Sequence, residues 1–235
     1  MQDTNSYKQF AKDTLGVTFA DIDLLVTAFT HRSYVNEHRK TVKQHNERLE
    51  FLGDAVLELV ATEYLYTHYT EPEGILTNWR SALVRTESIS AAAAKLEFEA
   101  LLRLSKGEKR GTDRARAQIL ANTYEAVIGA LYLDQGYEPA KKFIEQSVLA
   151  TFEDILKTGS WMDAKSHLQE LVQSKDGFTP VYKVLSEEGP DHDKIFSVGV
   201  FVNGAQKGTG TGPSKQAGQQ GAAEDALKHY ETSQS

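Results

Sequence analysis

A chain of 235 residues with 40% hydrophobic and 25% charged residues can build one large core or two smaller ones, and that balance excludes wholesale disorder. The absence of cysteine removes disulfide frameworks, thiolate metal sites and thiol nucleophiles, and it suits a reducing, cytoplasmic setting. A net charge of −7 argues against bulk electrostatic coating by a polyanion, while the lack of any long apolar run and the polar start Met1-Gln2-Asp3-Thr4-Asn5 lead us to expect no membrane span and no export.

From Ser6 to about Lys157 apolar residues recur at three- and four-residue spacing, which predicts helices over 6–14, 21–30, 45–69, 75–97, 113–134 and 138–157. Gly159-Ser160-Trp161 breaks that pattern and separates two compositional regimes. Beyond it the spacing predicts a helix over 164–174, then strands over 180–187 and 194–202, the latter alternating Phe196, Val198, Val200 and Val202 on one face. Asn203-Gly204 signals a tight hairpin into a third strand near 205–211, and a helix over 214–231 closes an α-β-β-β-α unit. The fold class expected is mainly α: an all-helical domain over 1–158, a linker over 159–162 and a small α+β domain over 163–232.

The densest chemistry lies in Asn46-Glu47-Arg48-Leu49-Glu50-Phe51-Leu52-Gly53-Asp54-Ala55-Val56-Leu57. On a helix, positions i, i+3 and i+7 stay within a sector of about 60°, so Glu47, Glu50 and Asp54 share one edge while Leu49, Leu52, Val56 and Val60 form the apolar stripe. A second helix, Ile119 to Tyr132, carries Asn122 and Glu125 at i, i+3 inside an apolar run, with Gly129 small enough for close helix approach. One reading of such acids is a solvated helix face. The other is a hard-cation site built between two helices, because charges interrupting apolar stretches must be paired or metal-bound, and Mg²⁺ favours carboxylates, waters and phosphate oxygens. His31 and His45 lack H-x-E or HExxH spacing and read as structural or ligand-adjacent residues.

Asn46 to Leu57 resembles the signature of the ribonuclease III family, and the likeness extends over nearly the whole chain. Ala28-Phe29-Thr30-His31-Arg32-Ser33 is similar to an upstream box of that family, Glu73-Gly74 with Leu76, Arg80, Leu83 and Val84-Arg85 to the next, and Ile119 to Asp134 to the last. The resemblance implies a homodimeric endonuclease of double-stranded RNA that uses Mg²⁺, with Mn²⁺ able to substitute. Catalysis would rest on Asp54 and Glu125, metal binding on Glu50, Asp54, Asn122 and Glu125, and accessory contacts on Glu47 and Glu73, with Phe51 anchoring the dimer. Two sites would each cut one strand, leaving 5′-phosphates and short 3′ overhangs. The family pattern usually has aspartate where this chain has Asn122, whose amide oxygen could still ligate a cation without adding charge. Either a natural variant or an engineered substitution accounts for it, and a duplex-binding protein with impaired cleavage is the rival reading. A di-iron carboxylate bundle would need Glu-x-x-His pairs, which the two metal helices lack.

The second unit resembles a double-stranded RNA-binding domain. On that likeness Gln169 and Gln173, at i, i+4 of its first helix, reach the shallow minor groove, His192 in the loop Gly189 to Asp193 makes a second groove contact, and Ser214 and Lys215 form a phosphate clamp at a helix N-terminus. The segment from Asp163 to Ser235 holds seven lysines, no arginine and ten acids, a net charge of −3, so weak and salt-sensitive binding is expected of it alone. Gly218 and Gly221 in the last helix should each weaken an exposed helix by about 1 kcal/mol relative to alanine.

Overall fold

A computed structural model describes residues 4–159, 161–190 and 194–232. The chain divides into two compact units, residues 1–157 and 158–235.

The first unit is helical. Its elements are α1 (Thr4–Asp13), α2 (Ile22–Ala28), α3 (Arg32–Glu37), α4 (Glu47–His68), α5 (Glu73–Val84), α6 (Thr86–Lys95), α7 (Asp113–Gln135), α8 (Tyr137–Ser147) and α9 (Phe152–Thr158), with short 3₁₀ turns at Phe98–Ala100, Glu108–Arg110 and Leu149–Thr151. Helix α7 starts where Thr112 accepts from the Ala115 amide at 3.3 Å, and it stops at Gly136, whose φ of 85° ends the helix. Two expected helices are each broken. The segment 75–97 bends at Arg85, extended at φ −69° and ψ 153°, where Ser88 Oγ donates to the Ala82 carbonyl at 2.7 Å and α6 turns to pack on α7. The segment 138–157 changes to a 3₁₀ turn after Val148, which is fully buried. Apolar periodicity runs on across both breaks, so it could not disclose them.

Helices α4 and α7 are the centre of this unit. Leu57, Val60, Ala61, Val127, Ile128 and Leu131 are sealed between them and their neighbours, each fully buried leucine, isoleucine or valine contributing roughly 1.5–3 kcal/mol through removal from water. The two backbones cross at Gly53 and Gly129. A Cβ on Gly53 would lie 1.7 Å from the Glu125 carbonyl oxygen, and one on Gly129 2.2 Å from that of Leu49.

The second unit runs α10 (Ala164–Asp176), β1 (Val181–Glu188), β2 (Ile195–Val202), β3 (Ala205–Gly212) and α11 (Lys215–Thr232). Asp163 caps α10 by accepting from the amides of Lys165 and Ser166, and Gly177 ends it in the left-handed region at φ 73°. The strands form an antiparallel sheet in the order β1-β2-β3. Asn203 and Gly204 both have positive φ, 48° and 78°, the conformation of a two-residue type I′ turn. Val198, Val200 and Val202 point to the helices and are buried with Leu168, Val172 and Ala222. The sequence reading of Gly218 and Gly221 as weak points is corrected here. Both lie against the sheet: a Cβ on Gly218 would meet Val198 at 2.7 Å, and one on Gly221 would meet Gly210 Cα at 3.3 Å.

Candidate active site

The Gly53–Gly129 crossing sets where the acids lie. Glu50 and Asp54 flank Gly53 on α4, and Glu125 sits one turn before Gly129 on α7, so removing side chains at the crossing brings carboxylates from two helices to one edge. Glu125 is half-buried, and burial, followed by the charges of Asp54 and Glu50, pushes its carboxyl up to about 8. Burial also raises Glu50, helped by Glu47 and Asp54 and opposed by a side-chain hydrogen bond from Asn122. A carboxylate that is costly to ionise among other carboxylates lacks a countercharge. Among the described residues no three acidic, histidine or cysteine side chains already converge as metal ligands.

The remaining expected site residues fall as follows. Glu47 pairs with Arg32 at 3.3 Å and stands 3.8 Å from His45 Nδ1, on the flank of the cluster. His31 caps α3 by accepting from the Ser33 amide at 3.2 Å, and burial lowers its pKa, a structural role. Glu73 opens α5 in a separate groove with Tyr66, Leu76 and Arg80, where Thr77 Oγ1 donates to it at 3.5 Å. The oxygen of Asn122 expected to face a cation instead accepts from Gln118 Nε2 at 2.7 Å. Phe51, 82% exposed, stands beside an open depression of about 740 Å³ lined by Leu24, Leu49, Leu52 and Leu133.

In the second unit Gln169 and Gln173 are both exposed on α10. Ser214 caps α11 by accepting from the Ala217 amide at 3.1 Å. Lys215 lies in the first turn of that helix, but its ammonium is 3.4 Å from Glu187 and 5.6 Å above the Phe196 ring. Lys194 approaches the other Glu187 oxygen at 3.8 Å. His192 lies outside the described residues.

A family model described as Ribonuclease-III-like matches residues 21–152, and one for the double-stranded RNA binding motif matches residues 164–230. Ribonuclease 3 of Enterococcus faecalis is 47% identical over 218 residues, which span 92% of this chain and 94% of that one. The chain belongs to the ribonuclease III family. Ribonuclease 3 of Streptococcus gordonii is 45% identical over 222 residues, 92% of this chain and 93% of that one. A solved structure of the nuclease domain of ribonuclease III from Campylobacter jejuni superposes with a TM-score of 0.53 at 37% identity, covering 59% of this chain and 96% of that one. The chain is thus an endoribonuclease of double-stranded RNA, with a helical nuclease domain followed by an RNA-binding domain.

Two features of this nuclease escaped the sequence reading. Gly53 sits inside the motif that supplied Glu50 and Asp54, and only the presence of Gly129 on the other helix could have marked it as the second half of a crossing. Gln118, four residues before Asn122, carries a spacing signal that is visible once Asn122 is singled out.

Proposed function

We propose that this ribonuclease III-type endonuclease binds a divalent cation, Mg²⁺ with Mn²⁺ able to substitute, at Glu50, Asp54 and Glu125, and hydrolyses the backbone of A-form RNA to 5′-phosphate and 3′-hydroxyl ends. The raised pKa of Glu125 between Asp54 and Glu50 carries this reading, since oxygen donors held together without a countercharge suit a hard cation. When bound, the cation supplies Lewis-acid polarisation of the scissile phosphate and a lowered pKa for attacking water. Glu125 would hold the cation as a carboxylate, the form that a neighbouring positive charge favours. Asp54 is exposed, so it would be the ligand open to substrate. Glu47 and Glu73 are accessory acids.

Duplex recognition falls to Gln169 and Gln173 for 2′-hydroxyls, to His192, and to Ser214 with Lys215 for phosphate, and selects shape over sequence. The functional domains are residues 1–158 and 163–232 joined by 159–162. Two copies pair through Phe51 and the apolar depression beside it, so that two sites cut the two strands; a related nuclease domain has a region described as involved in dimer formation. Ribosomal RNA precursors and messenger RNA in the cytoplasm are the proposed setting, and among the described residues no helix is long and apolar enough to cross a membrane.

Pure protein and Glu125→Ala incubated with a long RNA duplex in Mg²⁺, beside gel shifts in Ca²⁺, test the site. Cleavage should fall by more than about 100-fold with duplex affinity nearly unchanged. Near-parental cutting would remove Glu125 from the site. Sedimentation of Phe51→Asp as the same species as the parent would reject the proposed interface.

A further inference from the structure

Arg32 opens α3 and Glu47 opens α4, and the main chain holds those two starts side by side. The Asn46 amide donates to the Thr30 carbonyl at 2.9 Å, and the His31 amide donates to the Arg103 carbonyl at 3.1 Å. From there Arg32 Nη1 reaches Glu47 Oε1 at 3.3 Å. Stability gives little reason for this pair, because both side chains are exposed, at 66% and 49%, and exposed ion pairs add little to a fold. A guanidinium carries five donors in a planar fork. Among the described residues only Nη1 has a partner, so the edge formed by Nε and Nη2 is free.

The place of that free edge follows from Glu47. Glu47, Glu50 and Asp54 lie along one edge of α4, the first two separated by about 4.5 Å of helical rise. A positive group with unused donors therefore stands about one turn from the acids of the active site, on the open side where Asp54 is also exposed. The other side chains gathered there, Glu50, Asp54 and Glu125, are all acids, and a polyanion brought to them is repelled unless something nearby carries the opposite charge.

We propose that Arg32 binds a backbone phosphate of the RNA duplex beside the scissile bond, through the edge of its guanidinium that Glu47 leaves free. This rests on the metal reading above. Two parallel N–H groups fit two phosphate oxygens, a match that an ammonium cannot make. Such a contact fixes the register of the duplex and carries no sequence information, as a nuclease that selects shape requires.

The test uses the full chain with Arg32→Gln and Arg32→Lys, and follows binding of an RNA duplex in Ca²⁺ by fluorescence anisotropy over a range of KCl. Losing one phosphate contact changes the slope of log affinity against log salt by about 0.9. Arg32→Gln should bind about five- to tenfold more weakly at moderate salt, with a slope shallower by about one for each site that engages the duplex. Arg32→Lys keeps the charge and should keep the parental slope, losing about two- to threefold for the missing fork. A pair that only braces α3 against α4 would change the melting temperature and not the slope, so a parental slope in Arg32→Gln overturns the proposal. Mn²⁺ titrated without RNA, the free ion followed by electron paramagnetic resonance, separates this from the metal reading. Arg32→Gln should bind Mn²⁺ at least as tightly as the parent, since a positive neighbour has gone; weaker binding would mean that Arg32 acts through the acids, and the proposal fails. Parental Mn²⁺ binding in Glu125→Ala would sink the metal reading, whereas its loss there beside an unchanged slope in Arg32→Gln would sink only the role of Arg32.

Discussion

Substituting alanine for Gly53 tests whether the catalytic geometry hangs on the α4–α7 crossing. The added methyl would fall 1.7 Å from the Glu125 carbonyl oxygen and 2.9 Å from the Gly129 nitrogen, both backbone atoms of a buried helix that cannot rotate aside. Restoring ordinary contact at roughly 3.4 Å requires the helices to part by more than 1 Å, and overpacking of this kind costs about 1–3 kcal/mol or more. Because every contact along the crossing is disturbed together, we expect the upper end, near 3 kcal/mol, which lowers the melting temperature by roughly 6–12 °C for a domain of this size. The carboxylates on the two helices separate with their backbones, and a misplacement of about 1 Å at reacting groups can cost 100-fold in rate. Calorimetry and single-turnover cleavage, the latter at a temperature where the variant stays folded, measure the two effects. Gly74→Ala is the control: a Cβ there meets nothing within 4 Å, so the same chemical change in α5 should be neutral or stabilising by about 0.5–1 kcal/mol. Gly53→Ala melting within 1 kcal/mol of the parent and cutting within threefold of its rate would refute the reasoning.

Two further outcomes follow from charge. Because Glu125 titrates at about 8 in the metal-free fold against an ordinary value of 4.5, the folded state keeps a proton that the unfolded chain has lost throughout that window. Stability of the nuclease unit in chelator should therefore fall as pH rises from about 4.5 to 8, by roughly 2 kcal/mol after allowing for solvent relaxation; Glu125→Gln should flatten the slope and Mg²⁺ should oppose it. Parallel melting curves of parent and variant at pH 5 and 8.5 would contradict this. In the RNA-binding unit, Glu187→Gln releases Lys215 and Lys194 from their shared carboxylate, so duplex affinity at moderate salt should rise about two- to fivefold with a steeper salt dependence; unchanged binding by fluorescence anisotropy would mean that the pairing does not compete with phosphate.

The sequence disclosed most of what local chemistry controls. The spacing of Glu47, Glu50 and Asp54 marks one helix edge, Asn203-Gly204 marks its turn because asparagine and glycine are among the few residues that accept positive φ values cheaply, and α7 was read to within one residue at its C-terminal end. What stayed hidden depends on partners distant in sequence. Arg85 and Val148 interrupt helices without interrupting the apolar pattern. The pairing of Lys215 is set by a carboxylate on β1, and the purpose of Gly218 by a valine on β2.

That last case reaches beyond its own helix. A Cβ on Gly208, Gly210 or Gly212 would strike the backbone or an alanine of α11, and Gly218 answers from the helix side. Helix and sheet therefore touch through main-chain atoms over most of β3, where no rotamer can change to absorb an error. The N-terminus of α11, which presents Ser214 and Lys215, is held at one height above the sheet as by a gauge block. Substitution can lift that end of the duplex-binding surface but cannot lower it, which leaves the loops as the parts of this domain free to adjust how it fits a helix of RNA.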